Sequence, residues 1–122
     1  MKASEYQELA MRTNDGKATE RLTKLTAERE NTGEVLNACL GLSGEVGEFN
    51  DMIKKWIFHE KDLDVNELKK ELGDVLWYVA MCCDAFGWDM AEVMERNIEK
   101  LKKRYPDGFD VVRANNRNVE AE

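Results

Sequence analysis

The chain has 122 residues, which fits a single domain, and 43% of them are hydrophobic, enough for a folded core. Its formal net charge of −7 has the wrong sign for binding the phosphate backbone of a nucleic acid. No apolar stretch approaches the roughly 18 residues of a membrane-spanning helix, and the first residues lack the apolar core of a signal peptide. We therefore expect neither nucleic acid nor membrane among the partners of this protein.

The first predicted helix extends from about Ser4, as its N-cap, to Thr13, where Asn14-Asp15-Gly16 ends it. Residues 17–31 are charged and fit either a partial helix or a mobile segment. Three longer helices follow, in which apolar residues recur at helical spacing. Asp64 and Asp89 are placed to cap the last two, and the expected ranges of the three are about Thr32–Phe58, Val65–Phe86 and Asp89–Arg104.

These elements predict an all-α fold. It is a small four-helix bundle-like domain over residues 1–110, built on the antiparallel second and third helices, and residues 111–122 have the composition of a tail. A domain of this size buries only roughly two-thirds of the surface of its unfolded chain, so we expect it to pair with another copy.

Cysteines and tryptophans complete the predicted core. The three cysteines are odd in number, show no C-x-x-C spacing and stand within apolar runs, as is typical of reduced core residues in a cytoplasmic protein. Core packing also explains most of the tryptophans, with base stacking as the alternative, favoured more for Trp56 than for Trp88. The residues concerned are Cys39, Cys82, Cys83, Trp56, Trp77 and Trp88.

Two pairs of acidic residues carry the functional argument: Glu45-x-x-Glu48 in the second helix and Glu71-x-x-Asp74 in the third. A spacing of three puts both members of a pair on one helical face, about 5–6 Å apart at Cβ. On a helical wheel Glu71 falls within about 60° of four core-type residues, and Glu45 is flanked in a similar way. Both helices therefore direct carboxylates toward the surface that they would bury together.

An ionised carboxylate in apolar surroundings must shift its pKa or find a cation. Nearby lysines can supply that charge, or the helices can separate and leave the acids in water. We favour convergence on a divalent metal, because two matched pairs lie within apolar stripes. Hard oxygen donors suit Mg²⁺, with Mn²⁺ as a substitute, and a di-iron centre would need Glu-x-x-His motifs that the single His59 does not provide.

Glycine recurs at every third position of the second helix, as Gly41, Gly44 and Gly47. Each costs up to about 1 kcal/mol of helix stability relative to alanine. Either a closely packed neighbouring helix or a ligand approaching the backbone can offset that cost.

Three runs of residues make the sequence recognisable. They are GLSGEVGE at 41–48 with Lys54-Lys55 after it, ELKKELGDVLWY at 67–78, and RNIEKLKKRYP at 96–106. Over about Leu36 to Phe109 the chain resembles the MazG-like nucleotide pyrophosphohydrolases, which belong to the all-α NTP pyrophosphatase superfamily. The resemblance implies hydrolysis of a nucleoside triphosphate, canonical or damaged, to the monophosphate and pyrophosphate, in a homodimer or homotetramer with the site near a subunit interface.

The resemblance also implies roles for individual residues. Mg²⁺ is expected on Glu45, Glu48, Glu71 and Asp74, and substrate contacts are expected at Tyr78, Asn97, Lys100 and Arg104. We expect water to attack the α-phosphorus, with Glu45 or Glu48 as the general base. Phosphate contacts are expected from Lys100, Arg104 and Lys55, the last of which lies two turns beyond Glu48 on the same face; a solvated helix face is the alternative for all three cations.

Other functions fit the same residues. Within the superfamily, dUTP diphosphatase or phosphoribosyl-ATP pyrophosphohydrolase-like activity is the alternative. A catalytically silent helical oligomerisation module is the alternative from another class of protein, although such a module gains nothing from carboxylates in an apolar stripe.

Overall fold

The computed structural model describes residues 1–116, and the regular structure in this range is helical, without a β-strand. The prediction of an all-α fold is therefore confirmed. The helices are α1 (Ala3–Met11), α2 (Ala18–Glu28), α3 (Thr32–Phe58), α4 (Val65–Phe86), α5 (Met90–Arg104) and α6 (Val111–Asn115).

The three long helices, α3, α4 and α5, have the predicted ranges, and local signals explain their ends. The Asp64 carboxylate accepts hydrogen bonds from two backbone N–H groups in the first turn of α4. The Asp89 carboxylate accepts one from the first turn of α5. Gly87 ends α4 in a left-handed conformation, with φ at 71°, which glycine adopts without a steric penalty.

The remaining helices differ from the sequence prediction. Ser4 does not cap α1, because it lies within the helix. The N-cap is Lys2, two residues earlier, and the backbone N–H of Lys2 donates a hydrogen bond to the Glu5 carboxylate. The ambiguous residues 17–31 contain a helix, α2. The predicted tail begins with the short helix α6, whose N-cap Asp110 accepts a hydrogen bond from a backbone N–H. The described residues thus form six helices where four were predicted, and residues 117–122 of the predicted tail lie outside the described residues.

Close packing among the described helices joins α3 to α4 and, to a smaller extent, α2 to α3. α3 and α4 form an antiparallel hairpin that the connection at 59–64 closes at one end. At the other end the Asn31 side chain donates a hydrogen bond to the carbonyl of Ala85. The buried Thr32 hydroxyl bonds carbonyls of Leu25 and Arg29, which fixes the start of α3 against α2.

Small residues form the core of the described chain. The buried hydrophobic residues are Ala38, Cys83 and Ala85, whereas large side chains such as Leu40 remain exposed. The assignment of the tryptophans to the core is wrong, since about half or more of each is exposed, and so is that of Cys39, which is also exposed. The cause is that α5 does not pack closely on the α3–α4 hairpin, so the apolar stripes stay uncovered. None of the described helices combines the length and apolar character that crossing a bilayer requires.

Candidate active site

Three acidic side chains meet in the middle of the α3–α4 hairpin. Glu45 comes from α3, and Glu71 and Asp74 come from successive turns of α4. One carboxylate oxygen from each lies within 4.8 Å of those of the other two. Glu48 is not part of this trio, but it lies one helical turn after Glu45 on α3 and helps to raise the pKa of Glu71. We call these four residues the carboxylate cluster.

Burial within the carboxylate cluster follows the pattern of the helical wheel. Glu45 and Glu71 are partly buried, whereas Glu48 and Asp74 at the margins are exposed. The Oε2 atoms of Glu45 and Glu71 are shielded from solvent and have no hydrogen-bond partner among the described residues. Buried polar atoms are normally satisfied, so these two oxygens indicate a missing cation or donor.

Two lysines of α3 and α4 form ion pairs with acids outside the cluster. Lys55 forms an ion pair with Asp51 at 2.6 Å, and Lys70 forms one with Glu67 at 2.8 Å. Neither of these ion pairs includes a member of the carboxylate cluster. The alternative in which lysines neutralise the cluster therefore gains no support from these two residues.

Crowding of the carboxylates changes the acidity of Glu71. Its pKa is raised to about 7, first by the hydrogen bond that its protonated form shares with Glu45, then by burial, and then by Glu48. Without a cation, Glu71 therefore holds a proton for part of the time at neutral pH. The donor set is entirely hard oxygen, and two of its atoms lack partners, so the residues fit a divalent cation such as Mg²⁺.

The glycines of α3 have different surroundings. A Cβ atom at Gly41 would lie 2.0 Å from a ring carbon of Tyr78, so close helix packing accounts for this glycine. At Gly44 and Gly47 an added Cβ would meet no atom within 4 Å. Close packing within the chain therefore explains only the first of the three. The Tyr78 ring packs at the helix crossing, and its contact with substrate stays a prediction.

Lys55 lies at the end of the hairpin that holds the connecting loop. It lines a cavity of about 270 Å³ between the end of α3 and the start of α4. Asp51, which lines the same cavity, was missed in the sequence, although its spacing of four residues from Lys55 is the usual signal of a helical ion pair. The hydrogen bond from Lys55 lowers the pKa of Asp51 below its ordinary value.

The remaining predicted substrate residues, Asn97, Lys100 and Arg104, lie on α5. Because α5 does not pack closely on the hairpin, helix packing within one chain does not bring them to the carboxylate cluster. The Arg104 guanidinium lies over the ring of Tyr105, 5.8 Å from its centre. Their roles in substrate binding stay predictions.

Comparisons with known proteins show which sequence family and which phage protein this chain is similar to. Residues 30–109 match the sequence family described as the MazG nucleotide pyrophosphohydrolase domain. The chain is also 38% identical over 74 residues to the Gene 37 protein of Mycobacterium phage L5. That alignment covers 57% of this chain and 64% of the phage protein, so the chain spans less than two-thirds of that relative. No solved structure matches the chain.

Proposed function

Because the chain belongs to the MazG nucleotide pyrophosphohydrolase family, we propose that it hydrolyses a nucleoside triphosphate, ribo or deoxy, to the monophosphate and pyrophosphate with the help of Mg²⁺. The observation that carries the proposal is the meeting of Glu45, Glu71 and Asp74 within 4.8 Å. An acidic protein needs cations to bind a triphosphate, because both carry negative charge. Carboxylates are the side chains that coordinate Mg²⁺.

In this proposal Glu45, Glu48, Glu71 and Asp74 hold the metal, and Mn²⁺ can replace Mg²⁺. A bound Mg²⁺ supplies charge neutralisation for the phosphate oxygens and favours deprotonation of the attacking water. The unpartnered Oε2 atoms of Glu45 and Glu71 support this assignment, since a cation would satisfy both.

The protein's own side chains would accept the proton of the attacking water and bind the phosphates of the substrate. Glu45 or Glu48 accepts the proton of the water that attacks the α-phosphorus, and the bond from that phosphorus to the bridging oxygen breaks as pyrophosphate leaves. Lys55 donates to phosphate oxygens as a charge-assisted partner. Tyr78 contributes a further substrate contact, from the stripe that also carries Asp74.

The proposal includes a homodimer or homotetramer as the working form. Asn97, Lys100 and Arg104 are assigned to substrate binding, yet α5 is not packed closely on the hairpin that carries the carboxylates. Apolar side chains exposed on α3 and α4, such as Leu40 and Leu76, support burial against another copy. Assembly would then complete the site with α5 residues.

The direct test is incubation with a panel of NTPs and dNTPs in Mg²⁺, with identification of both products. We expect pyrophosphate and a monophosphate, and the panel includes dUTP and phosphoribosyl-ATP to distinguish the other activities of the superfamily. Release of orthophosphate alone would contradict attack at the α-phosphorus. A silent oligomerisation module predicts neither hydrolysis nor a Mg²⁺-linked rise in thermal stability.

Variants of the carboxylate cluster test the residues themselves. Glu71→Gln and Glu48→Gln should each lower kcat by about 100-fold or more, because each removes a negative charge from the metal site. Asp84→Asn is the matched control, since Asp84 is an exposed acid on the same helix, α4, outside the cluster. Far-ultraviolet circular dichroism should show intact helices in all three. Activity retained by Glu71→Gln would remove Glu71 from the site.

A further inference from the structure

An ion pair lies in the cavity at the loop end of the α3–α4 hairpin, and the proposed function gives a role to only one of its members. The ammonium of Lys55 is 2.6 Å from Oδ2 of Asp51, one turn earlier on α3. Both residues line the cavity of about 270 Å³, which we call the loop-end cavity. Lys55 is assigned to the phosphates of the substrate, whereas Asp51 has no role in hydrolysis as proposed above.

The loop-end cavity adjoins the carboxylate cluster along both helices. Asp51 follows Glu48 by three residues, so the two side chains lie on one face of α3, with their Cβ atoms about 5–6 Å apart. On α4, Glu67 lines the same cavity and precedes Glu71 of the cluster by four residues, which is about one helical turn. The loop-end cavity therefore begins one turn from the proposed metal site.

The direction of the lysine side chain brings its charge toward that site. Side chains on a helix lean toward its N-terminus, so Lys55, near the end of α3, extends back toward Asp51 and Glu48. The 2.6 Å contact between Lys55 and Asp51 shows this direction. The ammonium is therefore held at the level of Asp51, between its own backbone and the carboxylate cluster.

A phosphate that reaches Lys55 competes with Asp51 for the ammonium. The hydrogen bond from Lys55 lowers the pKa of Asp51, so this carboxylate is ionised at neutral pH. The two side chains are 44% and 50% exposed, and water screens an ion pair of this kind, so a polyanion can displace the carboxylate. After displacement Asp51 stays beside the phosphate and repels it, since both are negative.

We propose that Asp51 is an internal competitor for Lys55 and limits the affinity of the site for phosphates. In the free protein Lys55 is paired with Asp51, and in the complex it donates to a phosphate oxygen instead. When the products leave, the ion pair forms again, so Asp51 favours their release. The inference rests on the proposed function, in which Lys55 binds phosphates, and adds a residue that acts against that binding.

Two other roles for Asp51 predict different results. If Asp51 oriented Lys55 toward the phosphates, its removal would weaken their binding, whereas competition predicts that removal strengthens it. If Asp51 acted only through its negative charge, its effect would not depend on Lys55. The sign of the change and its dependence on Lys55 therefore distinguish the three roles.

The test measures the binding of inorganic triphosphate in Mg²⁺ by isothermal titration calorimetry. This probe has the phosphates of the substrate and no base, so base preference does not affect the result. Asp51→Asn should bind it about two- to fivefold more tightly than the natural chain, as expected for loss of an exposed ion pair. Asp51→Glu, which keeps the charge and can pair with Lys55, should match the natural chain.

A double-mutant cycle tests the dependence on the lysine. Lys55→Met should bind inorganic triphosphate more weakly than the natural chain. In the Lys55→Met background, Asp51→Asn should have no further effect, because the competition has lost its object. In active protein the KM of the substrate should follow the same order as these affinities.

Glu67→Gln is the matched control. Glu67 lines the same cavity and forms an ion pair with Lys70 at 2.8 Å, so this variant also removes one negative charge but leaves the Lys55 pair intact. Its affinity for inorganic triphosphate should equal that of the natural chain. Weaker binding by Asp51→Asn, equal tightening by Glu67→Gln, or tightening that persists without Lys55 would each overturn the proposal.

The substrate panel separates this proposal from the proposed function. A natural chain that hydrolyses nucleoside triphosphates, but shows no coupling between Asp51 and Lys55, would overturn the role of Asp51 alone. A natural chain that neither hydrolyses them nor binds inorganic triphosphate would overturn both.

Discussion

Glu71 shows how packing sets the chemistry of a single residue. Its pKa is raised to about 7 in the folded chain, from an ordinary value of 4.5. Between these two pH values the folded state binds more protons than the unfolded state. The free energy of unfolding of the metal-free protein therefore falls as the pH rises through this window. The groups responsible are Glu45 and Glu48, which face Glu71 from α3.

This difference predicts how stability depends on pH. The thermal midpoint of metal-free protein should be lower at about pH 8 than at about pH 5.5, and Glu71→Gln should remove this component because it does not titrate. Mg²⁺ should raise the midpoint more at the higher pH, since a cation prefers the ionised carboxylates. Thermal unfolding in a chelator and in Mg²⁺ measures both effects. Equal pH dependence in the natural chain and the variant would contradict the role of Glu71.

Gly41 and Gly44 provide a matched pair of substitutions on one helix. Gly41→Ala forces the Tyr78 ring to move, because the new Cβ would lie 2.0 Å from it, and we expect a loss of about 1–3 kcal/mol in the free energy of unfolding. Gly44→Ala enters open space and should gain up to about 1 kcal/mol from its higher helix propensity. Urea denaturation compares the two. Equal effects at both positions would show that the crossing does not depend on Gly41.

At the scale of whole helices, local signals explain which elements could be predicted. The ranges of α3, α4 and α5 follow from apolar periodicity and from the caps at Asp64 and Asp89, all of which are local. α2 has a short apolar stripe, and its contact with the start of α3 through Thr32 is tertiary, so sequence pattern left it ambiguous. Ser4 fits the sequence pattern of an N-cap, but α1 begins at Ala3, so Ser4 lies within the helix.

The N-terminus of α4 offers a test at this scale, since two backbone N–H groups depend on the Asp64 carboxylate. Asp64→Ala should lower the free energy of unfolding by about 0.5–2 kcal/mol, and Asp64→Ser should restore most of it, because serine also caps well. Urea denaturation of the three proteins measures the difference. An alanine variant as stable as the natural chain would show that water satisfies these groups equally well.

For the molecule as a whole, the sequence located part of the candidate site. The helical wheel placed Glu45 and Glu71 inside the apolar stripes, and the hairpin brings them together with Asp74. Periodicity could do this because α3 and α4 are consecutive antiparallel neighbours. The position of α5 relative to the hairpin has no local signal, so the substrate contacts assigned to it could not be located from pattern alone.

The small core of the described chain predicts that stability depends on assembly. Its buried hydrophobic residues are small, while Leu40 is 72% exposed and Trp77 is 61% exposed. If a homodimer or homotetramer covers these side chains, unfolding also requires dissociation. The thermal midpoint should then rise by several degrees between about 1 and 100 µM protein.

Light scattering should give the mass of two or four chains. Leu40→Lys should shift that mass toward one chain, because a buried ammonium without a partner is costly. A single-chain mass with a midpoint independent of concentration would show that one copy is stable alone, and α5 would then have to reach the carboxylate cluster within its own chain.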